Sequence, residues 1–455
     1  MSELLSDNSD VEADEESDRF DAEILHAPLL DGEMISTGRH LLPQYGLMGS
    51  HKELNVKSRM FLNTNIPFSA FICGVQGSGK SHTTATILEN SLIPSKNLGH
   101  LESPLSALVF SYGHFSGDGS GYSISEAAFL AAPSPQFPDG AHIKKVNVLV
   151  APSNFMRISK LYLCIPNVTV TKFMLNPADL DIDTMLTLMN VNESDEQPLY
   201  MAQVTQILRE MATSGSKFNY KIFKRRVEEQ RFNPAQECML QMRLNLLESF
   251  LDMKNSCPPP QFKPGEITIM DMSCPFVDAN TACILFRIGL VQYLRSGAAG
   301  KMIVLDEAHK YVIDVPGAKS LNAELLHTVR LQRHFGARIV ISTQEPTLLT
   351  DLIALCSIIV IHRFSSPEWF SAIKRHIPID VKDRENLMRT IECLKTGTAL
   401  VYAPNAVLGW KTSGSKDGED NITRRAGLVM GTGRMMKVSV RKRITSDGGQ
   451  SILAV

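Results

Sequence analysis

The residues most suited to chemistry form one glycine-rich stretch, with the letters G-V-Q-G-S-G-K-S at positions 74–81. The stretch fits the pattern G-x-x-x-x-G-K-[S/T] and lies between an apolar run ending at Cys73 and a helix-compatible segment, 82–90. Glycines let backbone N–H groups turn inward around a phosphate, and the dipole of the following helix favours the same negative charge. A chance match on a glycine turn is the alternative. The context predicts an ATP site formed by Gly74, Gly77, Ser78, Gly79, Lys80, Ser81 and His82.

Two residues of this stretch have separate predicted roles. The ammonium of Lys80 reaches the β- and γ-phosphates, and the hydroxyl of Ser81 is a ligand for Mg²⁺. His82 belongs to the predicted nucleotide-binding set by position, although histidines near such motifs are more typical of structure than of catalysis.

A second motif is an apolar run, 302–305, that ends in the adjacent carboxylates Asp306 and Glu307. At the carboxyl end of a strand, Asp306 is placed to hold Mg²⁺ through water. Glu307 points to the other side of the pleat, where it is expected to polarise the attacking water. A strand that stops at a solvated acidic turn is the alternative. Asp271, at the end of an earlier strand-like run, is a further acid for which structural capping is equally suitable.

A third apolar run, 339–343, is followed by Gln344, which is predicted to hydrogen-bond the attacking water or to sense the γ-phosphate. Capping of a loop is the alternative for this glutamine. Arg330, Arg333 and Arg338 precede or begin the same run. We expect Arg333 or Arg338 to act as an arginine finger towards a neighbouring subunit, against the alternative of a solvated helix end.

Together these motifs resemble the HerA/FtsK superfamily of RecA-like motor ATPases, and the HerA branch in particular. The resemblance covers about residues 60–405 and is carried by the segments 74–81, 303–311, 333–346 and 394–401. Residues 63–90 are also similar to stand-alone ATPases of this type in fungal genomes. The resemblance implies a P-loop ATPase that forms a ring, with a hexamer as the expected form. The N-terminal β-barrel of HerA and the membrane segments and winged helix of FtsK have no counterpart here, so DNA pumping does not transfer directly.

The elements around these motifs alternate between short apolar runs and helix-period segments. Such alternation predicts an α/β fold, a RecA-like P-loop NTPase with a mostly parallel sheet flanked by helices. Residues 181–258 lack strand-like runs and predict a helical insertion, in which Asn233 and Pro234 begin the last helix. The predicted organisation is a disordered acidic tail at 1–35, the two parts of the ATPase core at 36–180 and 259–405, the insertion at 181–258 and a basic extension at 406–455.

The composition of the 455-residue chain is that of an ordinary folded protein, with 44% hydrophobic and 21% charged residues. Its eight cysteines are scattered, which disfavours a disulfide framework or a zinc site. The N-terminus lacks the layout of a signal peptide, and the longest uncharged apolar run, Leu352 to Ile361, is ten residues long. A bilayer span needs roughly 20 residues. We therefore expect an intracellular protein, cytoplasmic or nuclear, without a membrane partner.

The charge is distributed unevenly along the chain. Residues 1–23 carry ten acids and one base, which leaves 45 bases and 38 acids in the remainder. Residues 424–443 contain seven bases and no acid. This run favours contact with DNA or RNA, although solvated runs and nuclear-import segments have the same composition. Two hypotheses follow: a ring-forming ATPase that moves on or remodels nucleic acid, and an ATP-dependent switch that remodels or assembles protein.

Overall fold

The structure is a computed structural model, and it describes most of the chain. The described residues are 12–53, 56–113, 124–137, 139–177, 180, 182, 184–185, 199–213, 218–254, 256–378, 384–413 and 424–448. Among them, no helix combines the length and the apolar character that crossing a bilayer requires.

Helices and strands alternate over much of the described chain. The helices are α1 (Glu12–His26), α2 (Gly32–Thr37), α3 (Lys80–Leu92), α4 (Phe155–Tyr162), α5 (Leu199–Thr213), α6 (Tyr220–Glu228), α7 (Pro234–Ser249), α8 (Ala279–Arg295), α9 (Pro316–Arg330), α10 (Gln332–Phe335), α11 (Thr350–Leu355), α12 (Pro367–Ile373) and α13 (Arg384–Glu392). The strands are β1 (Leu29–Asp31), β2 (Tyr45–Glu53), β3 (Val56–Asn63), β4 (Ser69–Cys73), β5 (Gly99–His100), β6 (Ser106–Ser111), β7 (Val146–Val150), β8 (Val168–Lys172), β9 (Ile267–Asp271), β10 (Lys301–Leu305), β11 (Ala337–Thr343), β12 (Ile358–Ile361), β13 (Thr398–Tyr402), β14 (Val407–Ser413), β15 (Arg424–Met430) and β16 (Met436–Val440).

The chain divides into two compact units, the first made of residues 1–104, 133–142 and 332–455. Its strands follow the order β15-β14-β1-β3-β2-β16-β13-β12-β4-β11, with β5 paired to β2. Strand β4 lies between β11 and β12 and runs parallel to both. All five residues of β4 are buried, as expected for a strand covered on both faces. The carboxyl ends of these three strands therefore share one edge.

The second unit consists of residues 105–132 and 143–331. Its strands follow the order β10-β6-β9-β7-β8, and each neighbouring pair is parallel. Phe286 of α8 stacks on Phe110 of β6, with ring centroids 4.7 Å apart, and meets the edge of Tyr311, which follows β10, at 5.0 Å. The all-parallel order confirms the prediction of a mostly parallel sheet flanked by helices.

Three helices lie within the predicted insertion where the structure describes it. Helices α5, α6 and α7 occupy residues 199–249 without an intervening strand. Asn233 caps α7 by accepting from the Gln236 N–H, the Gln236 side chain accepts from the Asn233 N–H, and Pro234 is the first helical residue. This capping box is the helix start that the sequence predicted.

The prediction of a disordered tail at 1–35 is wrong for its described part. Helix α1 begins at Glu12, and β1 joins the sheet of the first unit between β3 and β14. Ile24 is 2% exposed and Leu30 is fully buried. The part of the predicted tail at 1–11 lies outside the described residues.

The prediction of a C-terminal extension at 406–455 is wrong as well. Strand β16 is inserted between β13 and β2, antiparallel to both, so it belongs to the interior of the sheet. Strand β14 pairs with β1 and β15. Truncation near residue 420 would remove an internal strand of the first unit rather than a separate arm.

Candidate functional site: a phosphate-binding loop and an acidic turn

The loop between β4 and α3 has the backbone that the glycine pattern predicts. Gly77 has φ 72 and Gly79 has φ 114, a left-handed region that favours glycine. Helix α3 begins at Lys80 without a side-chain cap, so the N–H groups of its first turn have no side-chain acceptor at Gly79. A Cβ on Gly77 would meet no atom within 4 Å. The outer side of the loop is therefore open next to a helix N-terminus.

The charged residue of the loop is buried. Lys80 is 4% exposed, and its Nζ donates to the Val75 carbonyl at 3.1 Å. The Ser78 hydroxyl donates to the same carbonyl at 2.6 Å. The Val75 carbonyl thus fixes both side chains inside the loop. Ser81 is partly exposed in the first turn of α3, as a residue that contributes a metal ligand requires.

The side chain of His82 contacts the C-terminal segment. Its Nε2 lies 2.7 Å from the Arg441 carbonyl oxygen. His82 therefore connects the first turn of α3 with the C-terminal segment.

The same C-terminal segment also holds the last turns of α3. The Arg441 guanidinium donates to Glu89 Oε2 at 2.6 Å, to Asn90 Oδ1 at 2.8 Å and to the Leu47 carbonyl at 2.7 Å. Glu89 is fully buried, and its Oε1 accepts from the Thr445 N–H at 2.9 Å. Burial of Arg441 lowers the pKa of its guanidinium, and the Glu89 carboxylate opposes that shift. The loop helix is thus fixed along its length by residues more than 340 positions away.

Sequence reasoning missed this contact because Arg441 lies in a basic run. Arg443 in the same run is buried, and its guanidinium pairs with Asp447 at 3.5 Å. Two of the seven bases in 424–443 therefore stabilise the first unit. The side chains of Arg424 and Arg425 lie outside the described residues, whereas Arg434, Lys437 and Lys442 are exposed.

The acidic motif belongs to the second unit. Strand β10 ends at Leu305, and the Asp306 N–H donates to the Phe110 carbonyl at 3.1 Å. Asp306 and Glu307 lie in the turn that follows. The prediction that Glu307 occupies the opposite side of the pleat is wrong, because the strand stops before it. Glu307 instead adopts the left-handed conformation, with φ 48 and ψ 46.

Glu307 is partly exposed, and its Oε2 lies 3.4 Å from Nε2 of His309. A glutamate in the left-handed region is uncommon and costs of order 1–2 kcal/mol. Such strain clusters at functional sites, where the surrounding structure fixes it. The conformation is therefore a second indication, independent of the motif, that this turn has a functional role.

Asp271 has a different environment at the end of β9. It is 2% exposed, its Oδ2 accepts from the Tyr162 hydroxyl at 2.7 Å and its Oδ1 accepts from the Ser273 N–H at 3.0 Å. Burial raises the pKa of Asp271, although these hydrogen bonds lower it in part. A carboxyl enclosed in this way connects loops of the second unit and is not accessible to an attacking water.

Gln344 lies directly after β11 in the first unit. Thr343 pairs with Cys73, so Gln344 lies at the same sheet edge as the start of the phosphate-binding loop. Its side chain is partly exposed. The register of β11 and β4 thus places Gln344 beside the loop that the glycine pattern identified.

The two predicted finger arginines have opposite environments. Arg333 is exposed on α10. Arg338 is 4% exposed, and its guanidinium donates to the carbonyls of Thr64, Ile66 and Gly336 at 2.8–3.1 Å and also to that of Asn65. A guanidinium enclosed by four carbonyls cannot extend to a neighbouring subunit, so the structure contradicts the finger role of Arg338 and gives it a structural one.

No family model and no curated protein matches the sequence. Among solved structures, the chain is similar to VirB4 of Thermoanaerobacter pseudethanolicus, with a TM-score of 0.54 at 11% identity over 87% of this chain and 96% of that one. It is also similar to the plasmid coupling protein TrwB in complex with the GTP analogue GDPNP, with a TM-score of 0.43 at 12% identity over 84% and 87%. At such identities the likeness concerns the fold alone, and the VirB4 match supports it. The chain therefore has the RecA-like P-loop ATPase fold that its motifs predicted.

Proposed function

We propose that the chain binds and hydrolyses ATP together with Mg²⁺. The start of α3 is the observation that carries the proposal. There, a helix without a side-chain cap follows two glycines with positive φ, and the buried Lys80 adds an ammonium. Backbone N–H groups and a cation at a helix N-terminus suit the β- and γ-phosphates of a nucleotide.

The predicted ligands fit a magnesium ion in their chemistry. The Ser81 hydroxyl and the Asp306 carboxylate both offer the oxygen ligands that Mg²⁺ prefers. When bound, the ion neutralises charge on the β- and γ-phosphates. Glu307 accepts a proton from the attacking water, and Gln344 orients that water. The exposure of Glu307 supports this assignment over the buried Asp271.

Assembly into a homo-oligomeric ring, a hexamer, is part of the proposal. A trans-acting arginine must lie on the surface to stabilise transition-state charge in a neighbouring subunit. Arg333 meets this requirement, whereas Arg338 does not. The arginine finger is therefore assigned to Arg333.

The ring is proposed to act on DNA or RNA. Of the basic run at 424–443, Arg434, Lys437 and Lys442 are exposed bases that are able to contact phosphates. The ion pairs of Arg441 with Glu89 and of Arg443 with Asp447 remove part of the argument for this partner. That observation favours the second candidate, an ATP-dependent switch that remodels or assembles protein without binding nucleic acid.

One experiment separates the two candidates. The ATPase rate of the purified protein is measured with duplex DNA, with RNA and with neither, at low and high salt. A motor on nucleic acid should hydrolyse ATP faster with its polymer, and salt should reduce the stimulation because displaced counterions contribute to binding. Basal hydrolysis that no polymer changes would support the protein switch. Absence of any nucleotide binding would overturn both.

A further inference from the structure

A histidine outside the sequence motifs lies against the phosphate-binding loop. His362 follows β12 and is fully buried. Its backbone N–H donates to the Cys73 carbonyl at 2.8 Å, and the Val75 N–H donates to the Arg363 carbonyl at 2.9 Å. The chain after β12 thus continues to pair with the chain after β4, on both sides of Gly74.

The imidazole of His362 contacts both ends of the loop. Its Nε2 lies 2.9 Å from Oγ1 of Thr83, in the first turn of α3. A Cβ on Gly74 would lie 2.6 Å from the His362 Cβ, and a Cβ on Gly79 would lie 3.3 Å from its Cε1 and 3.4 Å from its Nδ1. The histidine fills the space that side chains at these two glycines would need. It therefore sets how closely the loop and the helix start approach each other.

The ring is uncharged at neutral pH. Burial first, and then the nearby Lys80 ammonium, lower the pKa of His362 to about 4. A neutral imidazole has one N–H donor and one lone-pair acceptor. One ring nitrogen is used by Thr83, and the backbone groups of Ser78 and Thr398 near the ring offset part of the lowering of its pKa. The ring therefore supports the loop without adding a second positive charge beside Lys80.

We propose that His362 is a positioning residue for the nucleotide. Through Thr83 and through its contact with Gly74 and Gly79, it keeps the loop and the first turn of α3 in the arrangement that receives the triphosphate. This inference rests on the proposed ATP function. A histidine that only fills the core would affect stability and leave nucleotide affinity unchanged.

Three substitutions separate positioning from packing. His362→Leu fills similar space but leaves the Thr83 hydroxyl without its partner. His362→Gln keeps a polar group able to bond that hydroxyl. Thr83→Val removes the same hydrogen bond from the other side. His376→Leu is the matched control, because His376 is a partly buried histidine after α12 whose pKa is also lowered by burial.

The readout is ATP affinity by calorimetry near neutral pH, in EDTA and in magnesium, with the melting temperature of each variant. His362→Leu and Thr83→Val should each weaken ATP binding about tenfold, as expected for one lost buried hydrogen bond. Their combination should be no weaker than either alone, because both remove one contact. His362→Gln should restore affinity to within about threefold of the parent, and His376→Leu should leave it unchanged.

Parent-like affinity of folded His362→Leu would overturn the positioning role, as would a loss in His362→Gln equal to that in His362→Leu. If His362→Leu does not fold, Thr83→Val decides, and parent-like affinity there overturns the inference. If the parent protein binds no ATP, the proposed function itself fails and the inference fails with it. If the parent binds ATP and the variants bind it with the same affinity, the role of His362 is rejected and the proposed function stands.

Discussion

The phosphate-binding loop of the first unit and the acidic turn of the second unit hold their charged groups in opposite ways. Lys80 is buried, and its ammonium is hydrogen-bonded to the loop's own Val75 carbonyl. Glu307 is partly exposed and occupies a left-handed conformation. Buried hydrogen bonds determine the position of the cation, whereas a strained backbone determines that of the carboxylate.

This difference corresponds to two requirements of the proposed reaction. Groups that bind phosphate work best when they are fixed before the ligand arrives, since no reorganisation is then needed. A general base needs access to water and a side-chain orientation that an ordinary strand end does not provide. The buried loop meets the first requirement and the strained turn meets the second. Substitutions in the two regions should therefore change different steps.

The largest effect is expected from Glu307→Gln. The amide keeps the shape of the side chain but cannot accept a proton, so turnover should fall roughly 10²–10⁴-fold while ATP remains bound. Single-turnover hydrolysis and ATP binding, measured on the same protein, test this separation of steps.

Two further variants of the acidic turn serve as controls. Glu307→Gly should lose as much turnover, yet gain about 1 kcal/mol of unfolding free energy because glycine adopts this backbone without strain. Asp306→Asn should weaken binding of ATP with magnesium more than binding in EDTA. Parent-rate hydrolysis by Glu307→Gln would assign the base to another residue.

In the loop, Lys80→Ala should reduce ATP affinity about 100-fold, as expected when a charged hydrogen-bond donor to phosphate is lost. The turn itself should persist, because its conformation comes from Gly77 and Gly79. Calorimetry measures the affinity, and circular dichroism reports the fold. Lys437→Ala, which removes an exposed lysine of the same unit, should change neither. Unchanged affinity in folded Lys80→Ala would refute the phosphate-binding assignment.

Smaller effects, on stability, are expected from substitutions of the arginines that hold the C-terminal segment in place. In Arg441→Gln, Glu89 keeps its buried charge and loses its guanidinium partner, so we expect about 2 kcal/mol less unfolding free energy. Arg443→Gln is the matched control, since Arg443 pairs with the half-exposed Asp447 and should cost about 1 kcal/mol or less. Urea unfolding measures both, and equal losses would argue against a special role for the Arg441 contact.

Local signals account for what the sequence predicted correctly. The apolar run before Gly74 and the glycines after it determine where β4 ends and α3 begins. The Asn233-Pro234 pair determines the start of α7. Residues within a few positions carry all of this information, and so it can be recognised without the fold.

Long-range partners account for the errors. Residues 1–23 are acidic enough to suggest disorder, yet Leu30 pairs with Val407 at the far end of the chain. Arg338 and Arg441 look like surface bases until Thr64 and Glu89 are placed beside them. The environment of His362 likewise depends on the parallel pairing of β12 with β4. None of these pairings has a signal in the local pattern.

The smallest expected effect concerns the two buried carboxyls Asp271 and Asp31, which should respond to pH in opposite directions. Burial raises the pKa of Asp271, so its contribution to stability is full below 3.8 and is lost as the pH rises through the folded value. Burial also opposes ionisation of Asp31, but hydrogen bonds with His51 and the Glu33 N–H outweigh it and lower the pKa. The stability from Asp31 is therefore present above 3.8 and lost as the pH falls through the folded value.

Urea unfolding tests this contrast, for Asp271→Asn between about pH 4 and neutrality and for Asp31→Asn between about pH 2 and pH 5. Relative to the parent, the free energy of unfolding of Asp271→Asn should increase as the pH rises. Only the parent must ionise a buried carboxyl over that range. The free energy of unfolding of Asp31→Asn should fall relative to that of the parent as the pH rises from about 2 to about 5, because over that range the parent alone gains an ionised, hydrogen-bonded carboxylate. Asp271→Asn should also keep its ATPase turnover within about threefold of the parent, since a carboxyl without access to water cannot be the base. A loss of turnover comparable to that of Glu307→Gln would transfer the catalytic role to the buried acid and reverse the contrast between the loop and the turn.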